Sequence, residues 1–218
     1  MKILALADIH GSHDVYARIP EAAAAHAVDA VVLAGDLLGV PDGYRTVQAA
    51  QRVDARAIVE ILQRLEVPLL YIMGNDDLVE LAPHTRRLRS VHAQRVDLGA
   101  YNFVGYQYSP PFMGGLFEKI EEEIAADLRA LEPLMDRNTI FVTHSPGAGI
   151  LDRGVLGLHA GSAAIRAAVG RRNVRAHIHG HIHQCFGRDG RHFNVAAAGT
   201  WRAIVLDLES LEHREIRS

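Results

Sequence analysis

The chain has 218 residues, of which 49% are hydrophobic and 22% are charged, and its formal net charge is −3. This is the composition of a globular protein, and a charge so close to zero does not favour nucleic acid or an anionic membrane as a partner. Cys185 is the only cysteine, which excludes an intrachain disulfide, and the apolar runs are too short to span a bilayer. Because the N-terminal apolar run already ends at Asp8, too early for a secretory leader, we expect a cytoplasmic protein.

Short apolar runs alternate with segments of helical periodicity along the chain. The apolar runs predict strands at residues 2–7, 30–34, 68–73, 138–143 and 174–179, and a final strand at residues 203–208. Two segments of alternating pattern predict hairpins at residues 91–106, with a turn near Gly99, and at residues 186–196.

Apolar residues at helical spacing predict four helices, at residues 15–27, 46–65, 116–135 and 162–169. In the second helix the predicted apolar face consists of Val47, Ala50, Val53, Ala57, Ile61 and Leu65. No linker rich in Pro, Gly or Ser interrupts the pattern, so we expect one domain over residues 1–218. Strands that alternate with helices and are followed by hairpins predict an α/β fold with a mixed sheet, or a pair of sheets, flanked by helices.

Polar residues directly follow five of the predicted strands. In chain order they are Asp8 and His10, Asp36, Asn75 to Asp77, His144, and His181 and His183. Ligands of open α/β sheets bind just outside the carboxyl ends of the strands, so we expect these side chains to converge. Glycines at positions 35, 74 and 180 precede three of the groups, where the chain must bend or approach a ligand closely.

The residue types indicate a metal centre rather than an acid–base pair. Asp, His and Asn donors suit Mn, Fe, Zn or Ni, and the absence of thiolate argues against a structural zinc site. Asp8 and His10 lie on one face of an extended segment, roughly 7 Å apart along it, and His181 and His183 repeat this spacing. Seven donors are too many for one tetrahedral ion but suit two ions that share a carboxylate and together act on a phosphoryl group.

The ordered motifs Asp-x-His, Gly-Asp, Gly-Asn-x-Asp, a lone His after a strand and Gly-His-x-His resemble those of the calcineurin-like metallophosphoesterase family. The segments around His144, Leu151 and Gly157 resemble a compact prokaryotic subgroup of predicted phosphoesterases. The resemblance implies a four-layer αββα sandwich, in which two mixed sheets are flanked by helices, and a metal-dependent hydrolase. It also implies that Asp36 bridges two ions. The ligands it implies are Asp8, His10, Asp36 and His183 for one ion, and Asp36, Asn75, His144 and His181 for the other.

The chain departs from the family at two positions. The family usually has a His where Asp76 stands, which contacts the phosphate and assists the leaving group, and an Asp where Gly39 stands, which orients that His. An ionised Asp76 beside a phosphate would be repelled, so it must pair with a metal, pair with another cation or hold a proton. Loop histidines that could replace the missing one are His13, His84 and His159. We expect the catalytic residues to be Asp8, Asp36, Asn75, Asp76 and His144.

These features favour an enzyme that acts on a small phosphate ester through a hydroxide bridging two ions. A phosphodiester or an activated monoester is favoured because the residues that assist poor leaving groups are absent. The alternative is a non-catalytic metal-binding scaffold or protein-interaction module of the same fold, against which the complete set of seven donors argues. The net charge and the absence of a basic stripe disfavour long nucleic acid.

Two further segments are predicted to border the site. Residues 106–115 are aromatic and rich in Pro and Gly, and they form either a substrate-facing loop or a contact in a homodimer. His177 and His179 precede the last motif, and we expect them to be hydrogen-bonded strand residues that support the metal-binding histidines from behind.

Overall fold

The computed structural model describes residues 1–81, 87–112, 114–155 and 157–217. The strands are β1 (Lys2–Leu6), β2 (Ala30–Ala34), β3 (Leu69–Ile72), β4 (Leu88–Ser90), β5 (Arg95–Leu98), β6 (Tyr101–Tyr106), β7 (Thr139–Thr143), β8 (Ala176–His179), β9 (Gly187–Asp189), β10 (His192–Asn194), β11 (Arg202–Asp207) and β12 (His213–Arg217). The helices are α1 (His13–Ala25), α2 (Val47–Leu62), α3 (Glu121–Leu131) and α4 (Ala163–Arg172). Short 3-10 turns lie at Glu132–Leu134 and His183–Cys185.

The strands form two mixed sheets of six strands each. The first sheet has the order β12-β11-β1-β2-β3-β4, with β1 to β4 parallel and the last two strands of the chain antiparallel. The second has the order β5-β6-β7-β8-β10-β9, with antiparallel strands only at its edges. In each sheet the parallel strands therefore all end on the same side, and α/β folds bind ligands at these carboxyl ends.

Three apolar clusters separate four layers. The outer face of the first sheet packs against α1 and α2 around the fully buried Tyr16. The two sheets face each other across a cluster that includes Ile3 from β1 and Phe103 from β6. The outer face of the second sheet packs against α3 and α4 through Leu128 and Ile165. The αββα sandwich of two mixed sheets is thus confirmed. Within the described ranges, no helix is long and apolar enough to cross a membrane.

Several element boundaries differ from the sequence prediction. The strand predicted at 203–208 is not the last one, because β12 pairs with β11, and the short β4 was not predicted. The helix predicted at 116–135 begins only at Glu121. The preceding residues form a loop, because Ser109 exchanges backbone hydrogen bonds with Phe117 and Lys119 instead.

The buried face of α2 is also rotated from the predicted one. Val47 and Val53, which were assigned to the apolar face, are each 40% exposed. Gln51 and Asp54 are buried in their place. Their side chains bond to backbone groups of the loops that follow β2 and β3, so hydrogen bonding outweighs apolar periodicity on this face.

Candidate metal centre

The loops that follow β1 and β2 run side by side. The N–H of Asp8 donates to the carbonyl of Gly35 over 2.8 Å, and the N–H of His10 donates to the carbonyl of Asp36 over 3.0 Å. These bonds extend the parallel pairing of the two strands beyond their ends. They hold three of the predicted ligands next to one another.

Four of the predicted ligands have a left-handed backbone. The φ angles are 54° at Asp8, 49° at His10, 52° at Asp36 and 67° at His181. This conformation costs a non-glycine residue about 1–3 kcal/mol and is typical of functional sites. The strain is concentrated where the side chains must turn toward a common point.

Three groups of side chains each bring their ligand atoms within 4.8 Å of one another. The groups are Asp8, His10 and His183; Asp36, His144 and His181; and His10, Asp36 and Asp76. The first two groups are joined into one cluster by the third, which shares a residue with each. Asn75 completes the cluster, since its Oδ1 lies 3.0 Å from His144 Nε2. All seven residues predicted as metal ligands, and Asp76, therefore lie together.

The first group has the spacing of ligands on one ion. His183 Nε2 lies 3.2 Å from Asp8 Oδ1 and 3.4 Å from His10 Nε2. Ligand atoms at about 2.0–2.2 Å from a metal lie roughly 3 Å apart when they are neighbours. The carboxylate of Asp8 is held in place by the backbone N–H of His181, which donates to it over 2.9 Å.

The second group is built around the two oxygens of Asp36. Oδ2 lies 3.3 Å from His144 Nε2, whereas Oδ1 accepts a hydrogen bond from the backbone N–H of Asp76 over 2.9 Å. His144 Nδ1 lies 3.0 Å from the carbonyl of Ala34, and donating there leaves Nε2 free to bind an ion.

The electrostatics of the cluster fit divalent cations. Burial works to lower the pKa of His144, but the charges of Asp36 and Asp8 outweigh burial and raise this pKa to about 10. Burial works to raise the pKa of Asp36, but the charges of His144 and His10 and the hydrogen bonds that the carboxylate accepts together outweigh burial and hold this pKa well below its ordinary value. Among the described residues, the ion pairs of the buried Asp8 and Asp36 are all with histidines. A divalent cation that binds here would supply the positive charge that the two carboxylates favour.

Asp76 lies at the exposed side of the cluster. Burial and the charge of Asp36 raise the pKa of its carboxyl group, which is half exposed. Its carbonyl accepts a hydrogen bond from Gln51 Nε2 over 2.8 Å, and Gln51 Oε1 accepts one from the N–H of Leu78 over 2.6 Å. Gln51 thus fixes the backbone on both sides of Asp77. Its role was missed because apolar periodicity placed it outside the predicted face of α2.

Asp77 ties two of the ligand-bearing loops together. Its buried carboxylate accepts hydrogen bonds from the N–H groups of Leu37, Leu38 and Gly74, the last two over 2.8 Å. The Gly-Asn-x-Asp motif includes Asp77, but this bridging role depends on the distance between loops, which the sequence does not show.

Two histidines that could replace the missing family His are paired with carboxylates elsewhere. His13 Nε2 lies 2.7 Å from Asp54 Oδ1, and His159 Nδ1 lies 2.6 Å from Asp152 Oδ1. Neither histidine belongs to the three groups. The third, His84, lies outside the described residues.

The loop over residues 106–115 borders the cluster. The ring of Phe112 meets the ring of His181 edge-on, with centroids 5.1 Å apart, and Phe112 is 61% exposed. Glu118 anchors the loop by accepting hydrogen bonds from the N–H groups of Phe112 and Gly114. At Gly115 the backbone approaches so closely that an added Cβ would lie 2.3 Å from the carbonyl oxygen of Asn75.

His177 and His179 are both fully buried, but only one is hydrogen-bonded. His177 Nε2 lies 2.8 Å from Thr143 Oγ1, and its Nδ1 lies 3.2 Å from His192 Nδ1. Neither ring nitrogen of His179 has a hydrogen-bond partner among the described residues. The expectation that both rings are satisfied is wrong for His179.

Comparison with known proteins identifies the family of the chain. The family model for calcineurin-like phosphoesterases matches residues 1–185. The chain belongs to the calcineurin-like phosphoesterase family. Members of this family are metal-dependent and hydrolyse phosphate esters, which favours an enzyme over the non-catalytic scaffold. None of the curated proteins compared with the chain matches it.

Solved structures share the fold of this calcineurin-like phosphoesterase. The protein TT1561 of Thermus thermophilus is 20% identical with a TM-score of 0.74, over 99% of this chain and 98% of that chain. A dimetal phosphatase from Danio rerio is 12% identical with a TM-score of 0.61, over 100% and 98% of the two chains. An archaeal phosphodiesterase is 16% identical with a TM-score of 0.54, over 99% of each chain. At sequence identities this low, these structures show a shared fold and not a shared substrate.

Proposed function

We propose that this calcineurin-like phosphoesterase hydrolyses a small phosphate ester with the help of two divalent ions. The observation that carries the proposal is the joining of three ligand groups into one cluster. One ion would be held by Asp8, His10, Asp36 and His183, and the other by Asp36, Asn75, His144 and His181. Asp36 is suited to bridge them, because it shares one ligand group with His10 and another with His144 and His181.

Each side chain has a distinct task in this proposal. When bound, the two ions would supply a bridging hydroxide as nucleophile and polarise the phosphoryl oxygens. Asp36 would fix the spacing of the ions. Asn75 would offer its Oδ1 next to His144, whose Nδ1–H is held by the carbonyl of Ala34. The Asp and His donors suit Mn, Fe, Zn or Ni, and we name manganese as the first ion to test.

A pocket next to the cluster supports an ester whose organic part is uncharged. It has a volume of about 340 Å³, which suits a small organic group. It is lined by cluster residues, by apolar side chains, by Gln51 and by two glycines, namely His10, Asn75, Asp76, Leu38, Val40, Leu78, Gln51, Gly114 and Gly115. Among the described residues, its lining includes neither Lys nor Arg. A second phosphate would therefore find no countercharge in this lining, which disfavours a substrate with more than one phosphate group.

Phe112 supports the substrate-facing alternative for the loop over residues 106–115. Its largely exposed ring stands at the edge of the His181 ring, where it can contact the organic part of an ester. The homodimer contact proposed for this loop and the cytoplasmic location stay predictions.

Metal content tests the ligand set. Metal-stripped protein that is saturated with Mn²⁺ should retain two ions per chain after desalting. Asp36→Asn should lose more activity than any other single ligand change, because Asp36 alone would serve both ions. Asp42→Asn, which removes an exposed carboxylate near Val40, is the matched control and should keep both ions. Absence of metal uptake by the wild type would refute the proposal.

A substrate panel tests the ester class. Bis-p-nitrophenyl phosphate, p-nitrophenyl phosphate and glycerol phosphate should be offered to the protein with Mn²⁺, Ni²⁺, Zn²⁺, Fe²⁺ or Mg²⁺ in turn. We expect the aryl esters to be cleaved much faster than glycerol phosphate, since alkoxide is the poorer leaving group. A preference for glycerol phosphate would contradict this assignment.

A further inference from the structure

The two carboxylate oxygens of Asp76 face two different candidate ligands. Oδ1 accepts a hydrogen bond from Asn75 Nδ2 over 2.9 Å. Oδ2 lies 3.7 Å from His10 Nδ1. In the ligand set proposed above, Asn75 and His10 belong to different ions. Asp76 therefore lies beside one ligand of each ion.

The contact with Asn75 selects one orientation of its amide. Only the oxygen of an amide binds a cation, whereas its NH₂ group is a donor that would be repelled. With Nδ2 tied to Asp76, Oδ1 faces His144 Nε2 at 3.0 Å. The carboxylate of Asp76 thus turns the oxygen of the Asn75 amide, which can bind a cation, toward the group of Asp36, His144 and His181.

One tautomer of the His10 ring places a proton toward Asp76. His10 Nε2 faces His183 Nε2 at 3.4 Å, so this nitrogen must carry no proton if the ring binds an ion there. The proton then resides on Nδ1, which is the nitrogen that faces Asp76. Outer carboxylates commonly hold metal-binding histidines in this way. A small rotation of the half-exposed Asp76 side chain would shorten the 3.7 Å between Asp76 Oδ2 and His10 Nδ1 to a hydrogen-bond distance.

We propose that Asp76 is a positioning residue that orients Asn75 and His10 and so couples the two metal sites. This inference rests on the proposed ligand set. It assigns a task to the position at which the chain departs from its family. The task belongs to the side chain alone, because the backbone is held separately through the N–H to Asp36 and the carbonyl to Gln51. Asp76→Ala should therefore fold.

Metal affinity provides the first test. Calorimetric titration of metal-stripped protein with Mn²⁺ should give two ions for the wild type and for Asp76→Ala, with both dissociation constants raised about 10–100-fold in the variant. Asp76→Asn keeps one acceptor oxygen, which can serve Asn75 or His10 but not both, so its loss should be intermediate. Asp42→Ala removes a comparable exposed charge and should stay within about twofold of the wild type.

The His10 tautomer provides the second test and needs no metal. Long-range proton–nitrogen correlation spectra of the metal-free protein, recorded at a pH where His10 is neutral, should show the proton on Nδ1 in the wild type. The Asp76→Ala variant should lose this preference. Identical tautomers in the two proteins would overturn the proposal.

Three outcomes of the titration distinguish a positioning role of Asp76 from a role as a direct ligand and from failure of the proposed function. Unchanged dissociation constants in Asp76→Ala would overturn the positioning role. Loss of one whole ion would also overturn it, because Asp76, which shares a ligand group with His10 and Asp36, would then be a direct ligand. A wild type that binds no ion would refute the proposed function instead, and the tautomer measurement would still decide whether Asp76 orients His10.

Discussion

The carboxylate of Asp54 accepts a hydrogen bond from the backbone N–H of Gly39 over 2.7 Å. Its other oxygen lies 2.7 Å from His13 Nε2. Gly39 stands where the family usually has an Asp, yet a carboxylate from α2 already lies beside this position. A Cβ added at Gly39 would lie 3.0 Å from Gly11 Cα and 3.4 Å from the Asp54 carboxylate. An Asp at position 39 is thus disfavoured by crowding and by like charge.

Gly39→Asp should therefore destabilise the protein by about 1–3 kcal/mol, as overpacking in a buried region does. Urea unfolding of the metal-free protein measures the difference. Gly154→Asp is the control, because the nearest atom to an added Cβ there lies at 3.8 Å. Equal stability of the two variants would show that the loop beside Asp54 has room for the family side chain.

Loss of the Asp77 carboxylate should separate the loops that follow β2 and β3. In Asp77→Ala, the N–H groups of Leu37, Leu38 and Gly74 lose their acceptor in a buried place, and each unpaired group costs about 1–3 kcal/mol. We expect a loss of several kcal/mol in the free energy of unfolding, measured in urea without metal. Asp77→Asn retains one acceptor oxygen and should lose less, and a loss as large as that of alanine would contradict the hydrogen-bond explanation.

Replacement of His179 should stabilise the protein. Its buried ring nitrogens have no partner among the described residues, so His179→Leu should raise the free energy of unfolding by about 1–2 kcal/mol at pH 7.5. A decrease would mean that the ring has a bonding partner in solution.

The same variant should change the response to acid. Burial lowers the pKa of His179 from 6.5 to about 3. The unfolded chain therefore binds the proton first, and the wild type loses stability as the pH falls from about 6.5 toward 3. His179→Leu should lose less between pH 7.5 and pH 5, measured in urea with a chelator present. An equal loss in both proteins would assign the acid sensitivity to other groups.

Phe112 should affect substrate binding rather than metal binding. Phe112→Ala removes an aromatic contact worth about 0.5–1.5 kcal/mol, so KM for p-nitrophenyl esters should rise about twofold to tenfold. The affinity for Mn²⁺ should not change. Leu116→Ala, at an equally exposed apolar residue just after this loop, is the control and should leave KM unchanged. A fall in metal affinity in Phe112→Ala would indicate that the ring supports His181 instead.

The sequence predicted the strands, the helices and the convergence of the polar residues because these follow from local patterns, whereas the four-layer arrangement was implied by the resemblance to the family. Apolar runs identified the buried strands, and β2 was placed at residues 30–34, where the structure has it. The polar residues after the strands were predicted to converge because parallel strands end at one edge of a sheet. These inferences need no knowledge of distances between loops.

The features that the sequence did not predict depend on contacts between distant segments of the chain. Gln51 and Asp54 are buried because they bond to loops more than ten residues away, which apolar periodicity does not show. The start of α3 depends on the backbone pairing of Ser109 with Phe117 and Lys119. The short β4 and the edge strand β12 carry little apolar signal, and each is defined by pairing with a single neighbour.

The placement of β1 at the interior of its sheet has a consequence for protein synthesis. β1 pairs on one side with β11, which is made about two hundred residues later, and Asp8 meets His183 across a separation of 175 residues. On the ribosome, the first strands leave the exit tunnel long before these partners exist. The candidate metal centre therefore forms only when almost the whole chain has emerged. A product that stops short of β8 would lack His181 and His183, the last two histidines of this centre.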